Sequence, residues 1–279
     1  MTEPTPPINP AAASAAASAA LEAAQTKFPN APEVADNLVP LPGGLIEGEH
    51  EYTTAVVKEL TGADEEAMAR AAVGGNSMHF LSTLLECGTE KVGDADPEHT
   101  KELLKRLLVG DRDAILIGIR VATYGKELTV PAFVCPECSQ VSEVTFSDIT
   151  TDIETRKLDS PLDAEFELEI SKDRTVTMRL PNAGDQAIVA ENNKWTLPER
   201  NTRLIQLCVQ HIKDNDTGRK QSMQGFPSMA LALSLRDRRA ILDAIAEREP
   251  GPRYNDIKIT HDCGKEVSLA LDLGDLFLA

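Results

Sequence analysis

Residues 128–146 read LTVPAFVCPECSQVSEVTF, two runs rich in β-branched and aromatic residues on either side of a CxxC. Such runs with a turn between them make a β-hairpin, and this turn presents Cys135 and Cys138. Zinc takes four thiolate or imidazole ligands in a tetrahedron, and two cysteines spaced by two residues on a tight knuckle fill two corners without straining the chain. The other two corners must come from elsewhere. DIKITHDCGKEVSLALDL at 256–273 reads as a second hairpin folded about HDCG, with Gly264 after Cys263 to let the backbone turn towards sulfur. A knuckle of ordinary spacing would have a ligand at position 260, where this chain has Thr260. His261, one residue on and with a longer reach, substitutes for it. The expected site is therefore a structural zinc held by Cys135, Cys138, His261 and Cys263; Asp262 or water is the alternative fourth ligand, and a set of ordinary free thiols the alternative to a metal.

A redox role for CPEC requires a helix N-terminus to depress a thiol pKa, and here strands flank the motif on both sides. Five cysteines in all, an odd number, also argue for metal before disulfides in a reducing compartment. Cys208 falls on the apolar stripe of TRLIQLCVQHI with Leu204, and Cys87 lies near a helix end before Gly88; both are expected in the core. His79, His99 and His211 have no serine or carboxylate at catalytic spacing.

Working outward, AEFELEIS at 164–171 and RTVTMRLP at 174–181 form a further hairpin, and helices are expected at about 184–192, 198–213 and 235–248. Upstream of Gly125 the period is helical. Val57, Leu60, Ala67 and Ala71 mark the first stretch, Met78, Leu81, Leu84 and Leu85 a second closed by Gly88, and Leu103, Leu104, Leu107 and Leu108 a third ended by Gly110. Asp111 can cap a fourth helix carrying Ile115 and Ile119, with Arg112 and Asp113 as first-turn surface charges and Arg120 pairing internally. Residues 1–50 have no amphipathic period; their AAASAAASAALEAAQ middle carries almost no large apolar side chain, and the whole reads as an arm that needs a partner to stay in place. The expected fold class is α+β: arm 1–50, a helical unit 51–125, then an α+β domain 126–279 of hairpins and helices with the split zinc-ribbon-like site.

Forty-five acidic residues against 28 basic ones, net −17, disfavour nucleic acid and anionic membrane as partners. No apolar run reaches the roughly 20 residues of a membrane span, and the N-terminus lacks the basic and apolar regions of a signal peptide, so a cytoplasmic location is expected. No P-loop, GxGxxG, HExxH or GxSxG occurs. Four protein ligands also leave a zinc no open position for water. The expectation is a non-catalytic protein.

The order of these features, AVVKELTGADEEAMARA at 55–71, GDRDAILIGIRVATYGKEL at 110–128, VPAFVCPEC at 130–138, SLRDRRAILDAI at 234–245, PGPRYNDIKI at 250–259 and CGKE at 263–266, resembles the baseplate hub and hub-assembly proteins of T-even-type contractile-tailed bacteriophages. In that pattern Ser139 stands where a glycine usually follows CPxC. The resemblance implies a structural or assembly component of the tail baseplate, working in the host cytoplasm during assembly and then in the virion tail. Its partners would be other baseplate and tail proteins, met through the N-terminal arm and the domain surface. A zinc-ribbon protein–protein adaptor of a cellular machine is the alternative.

Overall fold

The computed structural model describes residues 37–73, 77–171, 173–192 and 194–277. In chain order these form β1 (Leu38–Glu47), β2 (His50–Val57), α1 (Gly62–Ala72), α2 (Ser77–Gly88), β3 (Thr89–Val92), α3 (Pro97–Arg106), α4 (Val109–Tyr124), β4 (Leu128–Val134), β5 (Val141–Phe146) and α5 (Ile149–Asp152). Then come β6 (Thr155–Arg156), β7 (Glu165–Ile170), β8 (Arg174–Arg179), α6 (Ala183–Ala190), α7 (Leu197–Cys208), β9 (Val209–Asp214), β10 (Lys220–Ser222), α8 (Met229–Ala232) and α9 (Leu235–Arg248). The chain closes with β11 (Gly251–Pro252), β12 (Ile257–Thr260), β13 (Glu266–Leu269) and α10 (Leu273–Phe277). The class is α+β, as the mixture of periods suggested.

Helix α4 is the axis. Ile115, Leu116 and Ile119 join one apolar cluster with β1, β2, α2 and α3. Leu108, at its N-cap, joins a second with the four-stranded sheet β10-β9-β8-β7 and helices α7 and α9. Ile117 and Val121 face a third, formed with the hairpins β4–β5 and β12–β13. A helix apolar on all sides must be buried on all sides, and the shared helix makes residues from 37 onward one compact unit, with core shared across the boundary expected at 125/126.

Three expectations are corrected here. The helical reading of 51–125 missed an antiparallel sheet, β1-β2-β3. Tyr52, Ala55 and Val57 of β2 are buried, and the i, i+3 pair Val57 and Leu60 that suggested a helix straddles the strand end. Residues 38–47, expected in the arm, are the edge strand of that sheet: Val39 and Leu41 are buried, and the prolines are tolerated because an edge strand need not donate from every N–H. The remainder of the arm, 1–36, lies outside the described residues. Helix α7 stops at Cys208; Val209 to Asp214 pair with β8, where β-branched Val209 and Ile212 pack into the second cluster.

The start of α4 differs most. Leu107 is the C-cap of α3 and Leu108 the N-cap of α4, so Gly110 lies inside the helix. A Cβ on Gly110 would lie 1.7 Å from the carbonyl oxygen of Pro250; glycine is the residue that lets the two backbones meet. Asp111 does not cap. Its Oδ1 accepts the N–H groups of Gly43 (2.6 Å) and Gly44 (3.2 Å) in β1. Arg112 and Asp113 are buried rather than on the surface, paired to each other at 2.9 Å, with Arg112 also donating to Gln186 and Tyr254 Oη donating to Asp113 at 2.8 Å. Arg120 pairs internally, donating to the carbonyls of Gly125 and Glu127.

Candidate metal centre

Hairpin β4–β5 pairs from Leu128 with Phe146 to Val134 with Val141, with a shift of register between Val130 and Phe133, and its turn carries Cys135 and Cys138. Two backbone bonds shape the knuckle: Cys135 N–H donates to Gln140 O (2.9 Å) and Ser139 N–H to Cys135 O (2.8 Å). Ser139 has φ 60°, the left-handed conformation in which glycine costs least. Hairpin β12–β13 runs from Ile257 with Leu269 to Thr260 with Glu266. Its turn is built alike, with His261 N–H on Lys265 O (2.9 Å), Gly264 N–H on His261 O (2.8 Å), and Gly264 at φ 76°. Cys263 thus corresponds to Cys138, each followed by the left-handed residue.

The two hairpins belong to separate sheets, with no ladder of backbone hydrogen bonds between them. What they share is the third apolar cluster beneath and the side chains at their tips. There the ligand atoms of Cys135, Cys138, His261 and Cys263 all lie within 4.8 Å of one another. Cys135 Sγ is 4.0 Å from Cys263 Sγ and Cys138 Sγ is 3.7 Å from His261 Nδ1. All four residues named from the sequence are brought together. Asp262 is exposed and outside the group, and Thr260 remains in the strand.

The tautomer of His261 follows from its neighbours. The Cys263 N–H donates to Nδ1 (3.2 Å), so Nδ1 bears the lone pair and Nε2 the proton, which Ser142 Oγ accepts at 3.1 Å. Nδ1 is thus the ring atom turned towards the sulfurs, its one lone pair taken here by the Cys263 N–H and the one a metal ion would claim, while the far nitrogen is anchored as metal-binding histidines usually are. Burial pushes the Cys135 thiol up, but N–H groups of Cys138 and Glu137 and the neighbouring thiols outweigh it and leave the group more acidic than a free cysteine. Cys138, which takes one N–H from Gln140, is nonetheless held on the high side by burial and by its neighbouring sulfurs. Three thiols and an imidazole this close could hold a metal ion. Ser142 was not legible in the sequence, because only the docking of the second hairpin brings His261 against it.

The remaining cysteines and histidines play other parts. Cys208 is fully buried, and burial pushes its thiol up to about 12. Cys87 is half-buried beside Asp64, and both burial and that carboxylate raise it. His99 lies 2.7 Å from Glu47, a surface contact, and His211 is exposed on β9. Among the described residues, no helix is long and apolar enough to cross a membrane.

Comparison with known proteins gave one family: the model described as "T4 bacteriophage base plate protein" matches residues 52–278. No curated protein and no solved structure matches the chain. The matched span runs from β2 to the end of α10 and takes in both hairpins of the cysteine and histidine cluster and the buried start of α4, and the chain belongs to the T4 bacteriophage base plate protein family.

Proposed function

We propose that this chain is a non-catalytic component of the hub region of a contractile phage tail baseplate, and that a structural zinc at Cys135, Cys138, His261 and Cys263 ties its two tip hairpins together. Supporting the metal's identity is the geometry of the four ligand atoms. Zn–S bonds of about 2.3 Å put the S···S edges of a tetrahedron at roughly 3.8 Å, and a Zn–N bond of about 2.0 Å brings the S···N edges slightly below that. Separations of 4.0 Å and 3.7 Å between the paired ligand atoms suit such an ion with little movement. Soft thiolates with one imidazole favour zinc over magnesium or calcium. Four protein ligands give a closed site, suited to structure rather than to activating water.

The hub placement rests on the family and on the order of motifs from 110 to 128, 130 to 138 and 250 to 266. In this reading the first 36 residues act as a tether to neighbouring tail proteins, and the acidic surface keeps the free subunit soluble in the host cytoplasm until it is incorporated. The test is proteomic. Tails purified from the phage and separated into hub and peripheral fractions should contain this chain in the hub fraction. Its absence from mature tails and from every assembly intermediate overturns the proposal; recovery only in intermediates makes it an assembly factor of the same region.

A further inference from the structure

We infer that copies of this chain bind one another head to tail, a basic apolar surface around Arg238 on one copy seating on the acidic tip of hairpin β4–β5 on the next. The inference goes beyond the baseplate assignment and does not depend on the metal's identity.

The first surface is assembled by one guanidinium. Arg238 on α9 donates to Ala230 O of α8 (2.8 Å), to Pro198 O of α7 (3.2 Å) and to Thr202 Oγ1 of α7 (2.8 Å). Three helices are thereby gathered, and each leaves a leucine in water beside the clamp: Leu197 is 70% exposed, Leu231 71% and Leu235 84%. Phe226, 59% exposed, sits on the turn that Gln206 holds to α7 through Pro227 O at 3.0 Å. Scattered single leucines need no explanation; four large exposed apolar side chains on elements that Arg238 and Gln206 tie together do. The charge here is also anomalous. Residues 194–239 carry nine Lys and Arg against four Asp and Glu, which leaves 19 basic against 41 acidic in the remainder.

The complementary surface lies on the same molecule. Val134 and Val141 are directly opposed in the β4–β5 ladder, so they share a face, and they are 59% and 65% exposed. Glu143, two residues along that face, and Glu137 in the knuckle are exposed beside them. From 127 to 154 the chain has six carboxylates and no Lys or Arg. An apolar pair flanked by Glu137 and Glu143 matches, in both chemistry and sign, an apolar surface whose helix α9 also exposes Arg236 and Arg239. Because the two surfaces differ, the contact is heterologous, and repetition gives a ring or an open chain rather than a closed symmetric dimer.

Sedimentation velocity of the full-length, metal-loaded chain tests this over a wide concentration range at low and high salt. Self-association is expected at low salt and should weaken as salt is raised. Leu231→Ser with Leu235→Ser, and separately Val134→Thr with Val141→Thr, should each weaken it on the order of thirtyfold. Circular dichroism and metal content should match wild type. Mixing the two double variants is decisive, since each keeps the surface the other lacks: the mixture should form a one-to-one heterodimer that goes no further. A wild-type chain that stays monomeric throughout overturns the inference. So does self-association that survives either pair of substitutions, or a mixture that fails to form the heterodimer.

Discussion

The tip of the hairpins and the start of α4 both join segments far apart in the chain, and they do so by opposite means. At the tip, Cys135 and Cys263 are 128 positions apart, and the four cysteine and histidine side chains meet above a modest apolar layer. At the start of α4, Gly110 meets Pro250 backbone to backbone, Asp111 takes two N–H groups from β1, and Asp113 takes the phenol of Tyr254. In the proposed function the first join depends on an ion that can be removed. The other depends on the absence of a methyl group and on buried charge, and so is set by sequence and pH. Each therefore fails under a different challenge.

Metal removal should have the largest effect. Structural zinc sites contribute apparent binding energies on the order of 10 kcal/mol, so a strong chelator should lower the unfolding midpoint more than any single substitution elsewhere. It should also release amide protection in 257–269 while leaving the β7–β10 sheet protected, as read by hydrogen exchange. Equal loss of protection in both sheets would break the contrast.

Gly110→Ala comes next. The new Cβ meets a backbone oxygen at 1.7 Å, which cannot turn aside, so about 3 kcal/mol should be lost in denaturant titration. Gly118→Ala is the control: its Cβ would be 2.3 Å from Val39 Cγ2, a side chain that can move, and a cost of about 1–2 kcal/mol is expected. Neither change should alter metal content.

Asp111 gives a pH signature of similar size. Burial pushes its carboxyl up to about 6, although the N–H groups of Gly43, Gly44 and Leu108 pull the other way, and Oδ2 has no hydrogen-bond partner among the described residues. A carboxyl whose folded pKa exceeds its unfolded value supports the fold fully below the unfolded value and loses that support as pH rises through about 6. The loss should reach roughly 3 kcal/mol. Asp111→Asn keeps an oxygen for Gly43 and Gly44 and cannot ionise, so the difference in stability between it and wild type should shift in the variant's favour from pH 4 to pH 7. A constant difference would show that Asp111 titrates normally.

Tyr254→Phe should be mildest, about 1–2 kcal/mol, since it removes one bond to a carboxylate that keeps Arg112.

The sequence disclosed the cysteine and histidine tip better than the buried junction, for a physical reason. Ligand chemistry is carried by rare residue types at fixed spacing, so Cys135, Cys138 and Cys263 announce themselves, and His261 follows once Thr260 is seen to offer nothing. Hairpins β7–β8 and β12–β13 were legible because alternation survives where one face of a sheet is buried. The junction is written in common residues. Asp111, Arg112 and Asp113 read as surface charges at a helix start, and only the distant Gly43, Gly44 and Tyr254 reveal them as buried. Strand β2 was missed because Thr53, Thr54 and Ala55 carry no clean alternation, and its burial comes from α4 packing across it. Local patterns report local periods; contacts between common residue types across 60 or more positions leave no trace in a single sequence.

Native mass spectrometry of the purified chain, counting metal in wild type and in Cys263→Ser, asks most directly whether the tips are tied by an ion. One zinc per chain in wild type, and none in Cys263→Ser after the same exposure to chelator, is the expected result. A wild-type chain purified under reducing conditions in the presence of zinc that holds no metal, or a variant that keeps it equally well, would contradict the account.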